Sequence, residues 1–521
     1  MSQTKPSAWA SLKTVASSRR LVSVALLSLS SGMPLGLVIT AMPAWLDQNH
    51  IDIKTIGILG LAQAPWGFKF LWSPLMDRWR PAWLGFRRGW VLICQLLLTV
   101  LSVVLGLMAD APDVAAVAAI TAAIAFTSAS HDIAYDAYAI EVLPREEQAF
   151  AVSARGLLYK AGMLLAGNAA ISLAPSLGWK ATFYALGGIY LLLLPVTIFA
   201  PEPPEQPGRP QTLGEAVWQP FVGFLARPAV LQLIAFVLLF RLGDSLAGAL
   251  VTPFLQQRGY DAVSVGVARG AVGLVATFVG TVAGGVVTAR LGVGRSLWVG
   301  ALAQALSNLG YVAIAVVDPS PGVMFAALAV EGGSSALASV GFGVLLMRLT
   351  DKRFSATQFA LFTSLVGIAR TFVGPPAGML ADALGWRDFF LLTVPVALPG
   401  MVLLHRFAPW GTDPKGLSGE LESLPRGEPW PRTTVVASAV GSGVLAAAGS
   451  LVLSELLAAM KLMRGGKGLP FGADLQRLGL PESALGSMDF LSAVVFGVVF
   501  AVAVAAYLVA RGRQAPAAKS G

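Results

Sequence analysis

The sequence predicts an all-α membrane protein: two six-helix bundles followed by two further transmembrane helices, fourteen spans in all. Three observations predict it. Of 521 residues, 55% are hydrophobic and only 12% charged, against roughly 25% charged in soluble domains. So few charges cannot cover a soluble surface of this length. Runs of roughly 18 or more mostly apolar residues recur, as lipid demands of helices that must pair every backbone polar group internally. Two polar, proline-rich linkers sort those runs into sets of six, six and two. The same composition excludes intrinsic disorder, and the absence of ten-residue alternation excludes a transmembrane barrel.

In chain order the spans fall near 21–45, 56–76, 90–108, 114–140, 151–174, 181–199, 229–256, 263–289, 297–316, 323–347, 359–383, 389–405, 433–460 and 490–510. Residues 1–20 form a polar cytoplasmic segment carrying Lys5, Lys13, Arg19 and Arg20. The apolar run after it is too long for a signal-peptide core and reads as a retained first span. The bundles then occupy 21–199 and 229–405, separated by the linker 200–228 (APEPPEQPGRPQ at its start) and followed by the linker 406–432. Two accessory helices over 433–510 and a tail over 511–521 complete the plan.

The formal charge of +9 asks where the basic residues sit. With the N-terminus in the cytoplasm, 24 of the 37 Lys and Arg fall in cytoplasmic segments and 8 on the other side, half of those in the long loop 461–489. Both termini are therefore expected to be cytoplasmic. The positive excess is an orientation signal and implies a lipid partner, not nucleic acid. Cys94 is the single cysteine, so neither an intramolecular disulfide nor a cysteine metal cluster can form.

A short echo indicates duplication. LGWKATF (177–183) follows span five and LGWRDFF (384–390) follows span eleven, 207 residues later. The charged loops after spans two and eight agree loosely, MDRW with Arg87 and Arg88 in one, ARLGVGR in the other. Two parallel six-helix repeats, as in the major facilitator architecture, account for both. Spans three, six, nine and twelve carry no Asp, Glu, Lys or Arg in their cores. That period of three fits a bundle whose every third helix faces lipid.

The remaining charges are inside spans, where each costs roughly 2.5–3.5 kcal/mol on insertion scales and so faces the interior or a wet cavity. Asp132 and Asp136, four apart, share one face of span four with Ser128, beside a stripe of His131 and Tyr135. Two such carboxylates repel, which favours proton exchange at one of them. Glu331, in EGGSS on span ten, has no partner on its own helix. These three acids are the candidate proton-coupling groups. Gln63, Trp66 and Lys69 line span two; Lys160, Arg241, Asp244 and Arg370 lie in spans five, seven and eleven. Together with Tyr135 they are the candidate solute-binding set. Arg241 and Asp244, three apart, can equally be a local pair that only satisfies itself, and Arg269 near a span end can snorkel. Pro34, Pro43, Pro65, Pro74, Pro375 and Pro376 free backbone carbonyls that need a neighbour or a cavity.

No phosphate-binding GxxxxGK[ST] run or filter-like loop is present, which disfavours an ATP-driven pump and a selective channel. The histidines, His50, His131 and His405, do not make a metal site. His131 beside Asp132 leaves one enzymatic alternative, an intramembrane acyltransferase, in which the scattered charges would have no role.

Several stretches resemble the AmpG-type muropeptide permeases, a branch of the major facilitator superfamily: SSGMPLGL (30–37), KTIGILGLAQAPWGFKFLWSPLMDR (54–78), HDIAYDAYAIEVL (131–143), FRLGDSLAGALVTPFL (240–255), LLMRLTDKRFSATQFAL (345–361) and GIARTFVGPPAGMLADALGWRDFF (367–390). The resemblance implies a non-enzymatic, monomeric carrier without a cofactor. It would import anhydromuropeptides across the bacterial inner membrane with protons, by alternating access, for cell-wall recycling. It makes Lys69, Asp132, Asp136, Arg241, Asp244 and Arg370 the matched charged positions. Two residues depart from the pattern: His131 stands where the family usually has Gln, and Ala139 where muropeptide carriers tend to have a basic residue. Related acetyl-CoA carriers share the scaffold, so acetyl-CoA or another organic anion is the alternative solute.

Overall fold

The structure, a computed structural model, describes residues 18–51, 63–79, 81, 85–204, 208, 210–225, 230–410, 430–464 and isolated positions between 494 and 509. Among the described residues, secondary structure is helical, without strands. Ten helices there are long and apolar enough to cross a bilayer. They include span one (Arg19–Gln48), span three (Phe86–Leu107), span four (Val114–Val142), span five (Gln148–Leu177), span six (Trp179–Phe199), span seven (Val230–Gln257) and span ten (Pro321–Leu349). Ser264–Val316 is 53 residues long and would run about 80 Å if straight, far beyond a bilayer. It turns at Gly292 (φ 82°) and so supplies both span eight and span nine. Span eleven is helical over Ser355–Phe372 and continues in Gly374–Val396, which turns at Gly385 into span twelve.

Span two departs from the expected continuous helix. From Gln63 onward it is two short helices, Ala64–Phe68 and Ser73–Arg78, joined by a tighter turn at Lys69–Leu71. Pro65 and Pro74 each open one of the pieces, where a missing N–H costs nothing, and neither can extend the preceding helix. The remainder of span two, the N-terminal segment to residue 17, the second linker over 411–429, the loop 465–489 and most of span fourteen lie outside the described residues.

The 207-residue repeat extends into the backbone. Gly178 (φ 78°) and Gly385 (φ 75°) take the same left-handed turn before the LGW tryptophan, a conformation that strains any residue with a Cβ. Gly85 (φ 84°) and Gly292 (φ 82°) form a second pair with that spacing, at the starts of spans three and nine. Side chains repeat too. Trp179 donates to Gln48 Oε1 (2.6 Å) and Trp386 to Gln257 Oε1 (3.0 Å). Phe183 packs edge-on against Trp45 at 5.1 Å, and Phe390 meets Phe254 at 4.6 Å. Each bundle is thus nailed at one end by the same aromatic corner, and each has its own buried apolar core.

Spans three, six, nine and twelve turn large apolar side chains outward, among them Leu97, Val100 and Leu107, Leu192 and Phe199, Leu302 and Leu306, Leu391 and Val402. Faces of this extent are stable only in lipid. The protein is a multi-pass membrane protein.

Spans one and five pack backbone to backbone. A Cβ at Gly32 would overlap the Tyr159 carbonyl, one at Gly36 the Met163 carbonyl, and one at Gly162 the Leu29 carbonyl. Both helices widen by a π-bulge at this level, Leu37–Ala41 and Leu165–Ala169. The obstacle at Gly32 is backbone and cannot rotate away. Gly32→Val is therefore expected to lose more than the roughly 1–3 kcal/mol of ordinary overpacking, seen as loss of monodisperse protein after detergent extraction.

Met1–Ala216 and Leu231–Glu420 form one compact unit, and Val217–Val230 with Leu421–Gly521 a second. In the second unit, Arg432–Arg464 is one long helix. Gly443 and Gly497 bring backbones so close that a Cβ on either would lie within 2.7 Å of the other's carbonyl oxygen. The GSGVLAAAG stretch serves helix packing there.

Candidate functional site

The break in span two decides where Lys69 points. Phe68 leaves helical geometry (φ −105°), and Lys69 becomes a buried ammonium 3.7 Å from Asp136 Oδ2 on span four. Arg155, two turns into span five, bonds the other oxygen of Asp136. Its guanidinium lies 5.2 Å from the Tyr135 ring and 5.9 Å from the ring of Phe359, which belongs to the C-terminal bundle. Asp136 is thus held between two cations, each donated by a different helix. Asp132, one turn earlier on the same face, accepts from Ser31 on span one. Trp66 donates to Ser128 (3.3 Å) and so closes the same face toward span two. Tyr135 is 1% exposed, its hydroxyl donated to Val24 O at 2.8 Å, where it braces span one. Gln63 and Lys160 have no hydrogen bond or ion pair among the described residues, and Lys160 is exposed. The side chain of Arg370 lies outside the described residues.

A second charged group occupies the C-terminal bundle. Span seven breaks at Arg241, whose guanidinium donates to Ser339 and Ser335 of span ten, both at 2.7 Å, and to Asp244 at 3.1 Å. Asp244 Oδ1 is buried without a hydrogen bond. Glu331 lies beside both the Asp244 carboxyl and the Tyr311 hydroxyl. Glu331 therefore sets a second carboxyl beside Asp244, while the Arg241 guanidinium engages Asp244 and two serines. Arg269 is exposed and donates to Thr252 of span seven.

A third network joins the bundles at one end. Arg87, fully buried, donates to Glu141 Oε1 (2.8 Å), Asp77 Oδ1 (2.6 Å), Met76 O (2.8 Å) and Ser355 Oγ (2.9 Å). Asp77 in turn accepts from the backbone N–H groups of Ala356 (3.2 Å) and Thr357 (2.8 Å) and from the Thr357 hydroxyl (2.7 Å). Those amides open the Ser355–Phe372 helix, so the acid sits on the positive end of a helix dipole. Arg348 donates to Gln148 close by. Hydrogen bonds between the bundles gather at this end.

Comparison with known proteins agrees with this architecture. The profile of the Major Facilitator Superfamily matches residues 24–374. The anhydromuropeptide permease of Escherichia coli K12 is 39% identical over 381 residues, 73% of this chain and 78% of that one. The chain belongs to the major facilitator superfamily, in its anhydromuropeptide permease branch. A Rickettsia felis protein named putative transporter AmpG 4 is 30% identical over 74% of this chain and 95% of its own. Among solved structures, the human organic anion transporter MFSD10 superposes with a TM-score of 0.58 at 15% identity, over 74% of this chain and 99% of that one. A bacterial homologue of the iron transporter ferroportin gives 0.54 at 16%, over 74% and 98%. These two share the fold.

Membership makes the protein a transporter, and the acyltransferase alternative falls away with it. It also gives the missed residues a place. The charge count puts Arg155 among the loop residues, because it stands only five positions inside the expected start of span five. Asp77, Arg87 and Glu141 likewise count as loop charges until the structure buries all three to 0% side-chain exposure. The signal available was local: Asp77-Arg78 followed by Arg87-Arg88 across a short loop, an acid and a base too close to a membrane boundary to be idle.

Proposed function

We propose that the protein imports anhydromuropeptides, sugar–peptide fragments of the cell wall, across the bacterial inner membrane in exchange for the energy of a proton gradient. It works as a monomer, with both termini in the cytoplasm and with the Arg87 network on the cytoplasmic face. The observation that carries this reading is Asp136 clamped by Lys69 and Arg155, a site whose cations serve either the protein's own acid or a solute carboxylate. A proton on Asp136 releases both cations to an incoming peptide carboxylate. Loss of that proton after the bundles rock returns the cations to Asp136 and expels the solute. Asp132 and Glu331 are the other groups able to hold a coupling proton, and Trp66, Gln63 and exposed Lys160 supply further polar contacts toward the cavity. Arg241 with Asp244 forms the opposing wall, to which Arg370 is assigned.

Proteoliposomes with an imposed pH gradient test the substrate and the coupling together. Labelled anhydromuropeptide is expected to accumulate, and labelled acetyl-CoA is not; the reverse result transfers the site to an acyl-CoA carrier. Glu331→Gln is expected to keep solute exchange between equal pools but to lose accumulation against a gradient. A glutamine holds no titrating proton, and the neighbouring Glu331 and Asp244 carboxyls need one between them. Full accumulation by that variant would remove Glu331 from the coupling set.

A further inference from the structure

We infer that His131 is the positioning residue for Asp132, acting as a hydrogen-bond donor from Nε2. The inference rests on the reading that Asp132 exchanges a proton during transport.

The bonding around Ser30 fixes the assignment. Ser30 Oγ has one proton and gives it to the Leu27 carbonyl at 2.7 Å. What remains are two acceptor sites. One takes the Gln95 amide N–H at 3.3 Å, and the Gln95 orientation is itself set, because its Oε1 accepts from Thr197 at 2.6 Å. The His131 Nε2, 3.1 Å from Ser30 Oγ, therefore has to be the donor. Four helices meet in this chain of bonds: Ser30 on span one, Gln95 on span three, His131 on span four and Thr197 on span six. All four residues are fully buried.

Ser30–His131 and Ser31–Asp132 are adjacent rungs between the same two helices, each joining residues 101 apart in sequence. The first rung carries no charge and faces the bundle core. It sets the height of span one against span four, and that height aims the Ser31 hydroxyl at the Asp132 carboxylate. The His131 ring also stacks on Tyr135, with centroids 6.3 Å apart and planes 16° from parallel, and Tyr135 ties back to span one through Val24. His131 Nδ1 is buried and has no partner, so only one ring nitrogen is in use. An amide nitrogen in place of Nε2 would serve Ser30 equally, whereas a phenyl ring would keep the stacking and lose the donor.

The charged and titratable groups around Asp132 are Lys69 from span two, Cys94 from span three, His131, Tyr135 and Asp136 on its own helix, Arg155 and Tyr159 from span five, and Tyr190 from span six. A substitution at 131 replaces only the imidazole among them, and H131Q and H131F both lose it, while S30A keeps it. A difference between the H131Q and H131F profiles that S30A reproduces therefore reports the rung.

The experiment measures uptake of labelled anhydromuropeptide into proteoliposomes across a range of pH for wild type, H131Q, H131F, S30A and D132N. The Ser31 hydroxyl stabilises the carboxylate form, so weakening its aim favours the protonated acid. H131F is expected to move the alkaline limb of the profile upward by at least about half a pH unit, a fraction of the roughly one to two units that one whole hydrogen bond to a charged group is worth. H131Q is expected to restore the wild-type profile, and S30A to reproduce H131F, also standing in for it if the phenyl variant fails to fold. An H131F or S30A profile coincident with wild type, while D132N loses its pH dependence, overturns the inference alone. So does an H131Q profile that matches H131F. A wild-type profile in D132N overturns the reading of Asp132 and the inference with it.

Discussion

Arg87→Ala is expected to cost the protein roughly 3–5 kcal/mol, the usual penalty for removing one partner of a buried ionic network. The guanidinium uses Nε and both terminal nitrogens at once, on two carboxylates, a hydroxyl and a carbonyl drawn from both bundles. Alanine would leave Asp77 and Glu141 as two carboxylates at 0% side-chain exposure with no cation between them. Asp77 keeps its helix N-terminus, while Glu141 keeps the Ser355 hydroxyl at 2.5 Å. The damage should therefore concentrate on the link between bundles. The measurement is thermal unfolding of purified protein in detergent, paired with uptake. Arg87→Lys separates charge from shape, since an ammonium carries the charge but cannot serve four acceptors in one plane. It should recover part of the stability and little of the link between the bundles. A melting temperature unchanged in Arg87→Ala would show that the join between the bundles does not depend on this network.

Asp136→Asn is the second large effect. It leaves Lys69 and Arg155 facing an amide, with the lost pair worth roughly 3–5 kcal/mol to the ground state where both partners are buried, and less for Arg155, whose side chain is 22% exposed. The expected phenotype is specific: a solute carboxylate meets no competitor for the two cations, so binding should persist or tighten while release slows and net uptake falls to background. Tight binding with lost turnover, seen by equilibrium binding to detergent-solubilised protein beside proteoliposome uptake, is the signature. Loss of binding and uptake together would instead make Asp136 a structural partner of its two cations.

Legibility in the sequence followed the physics each signal rests on. Fold class was readable because hydropathy is a property of long windows, and lipid punishes every violation. The repeat was readable because Gly178 and Gly385 must be glycine, so the flanking LGW motif survives in both copies. Asp132 and Asp136 stood out because a charge in mid-span needs a reason. Arg155, Asp77 and Glu141 did not, since near a boundary the same charge is ordinary and only packing reveals that it is buried. Span two is the clearest case. Its prolines announced a break, but which way Lys69 would turn depends on backbone angles that the neighbouring helices impose.

Cys94 adds a practical consequence. It lies inside span three with 3% exposure, and it is the only thiol in the chain. The wild-type protein is thereby a near-silent background for sulfhydryl labelling. A cysteine introduced at any chosen position would be the one group that membrane-impermeant reagents could find, and the face from which they reach it would map the aqueous pathway residue by residue.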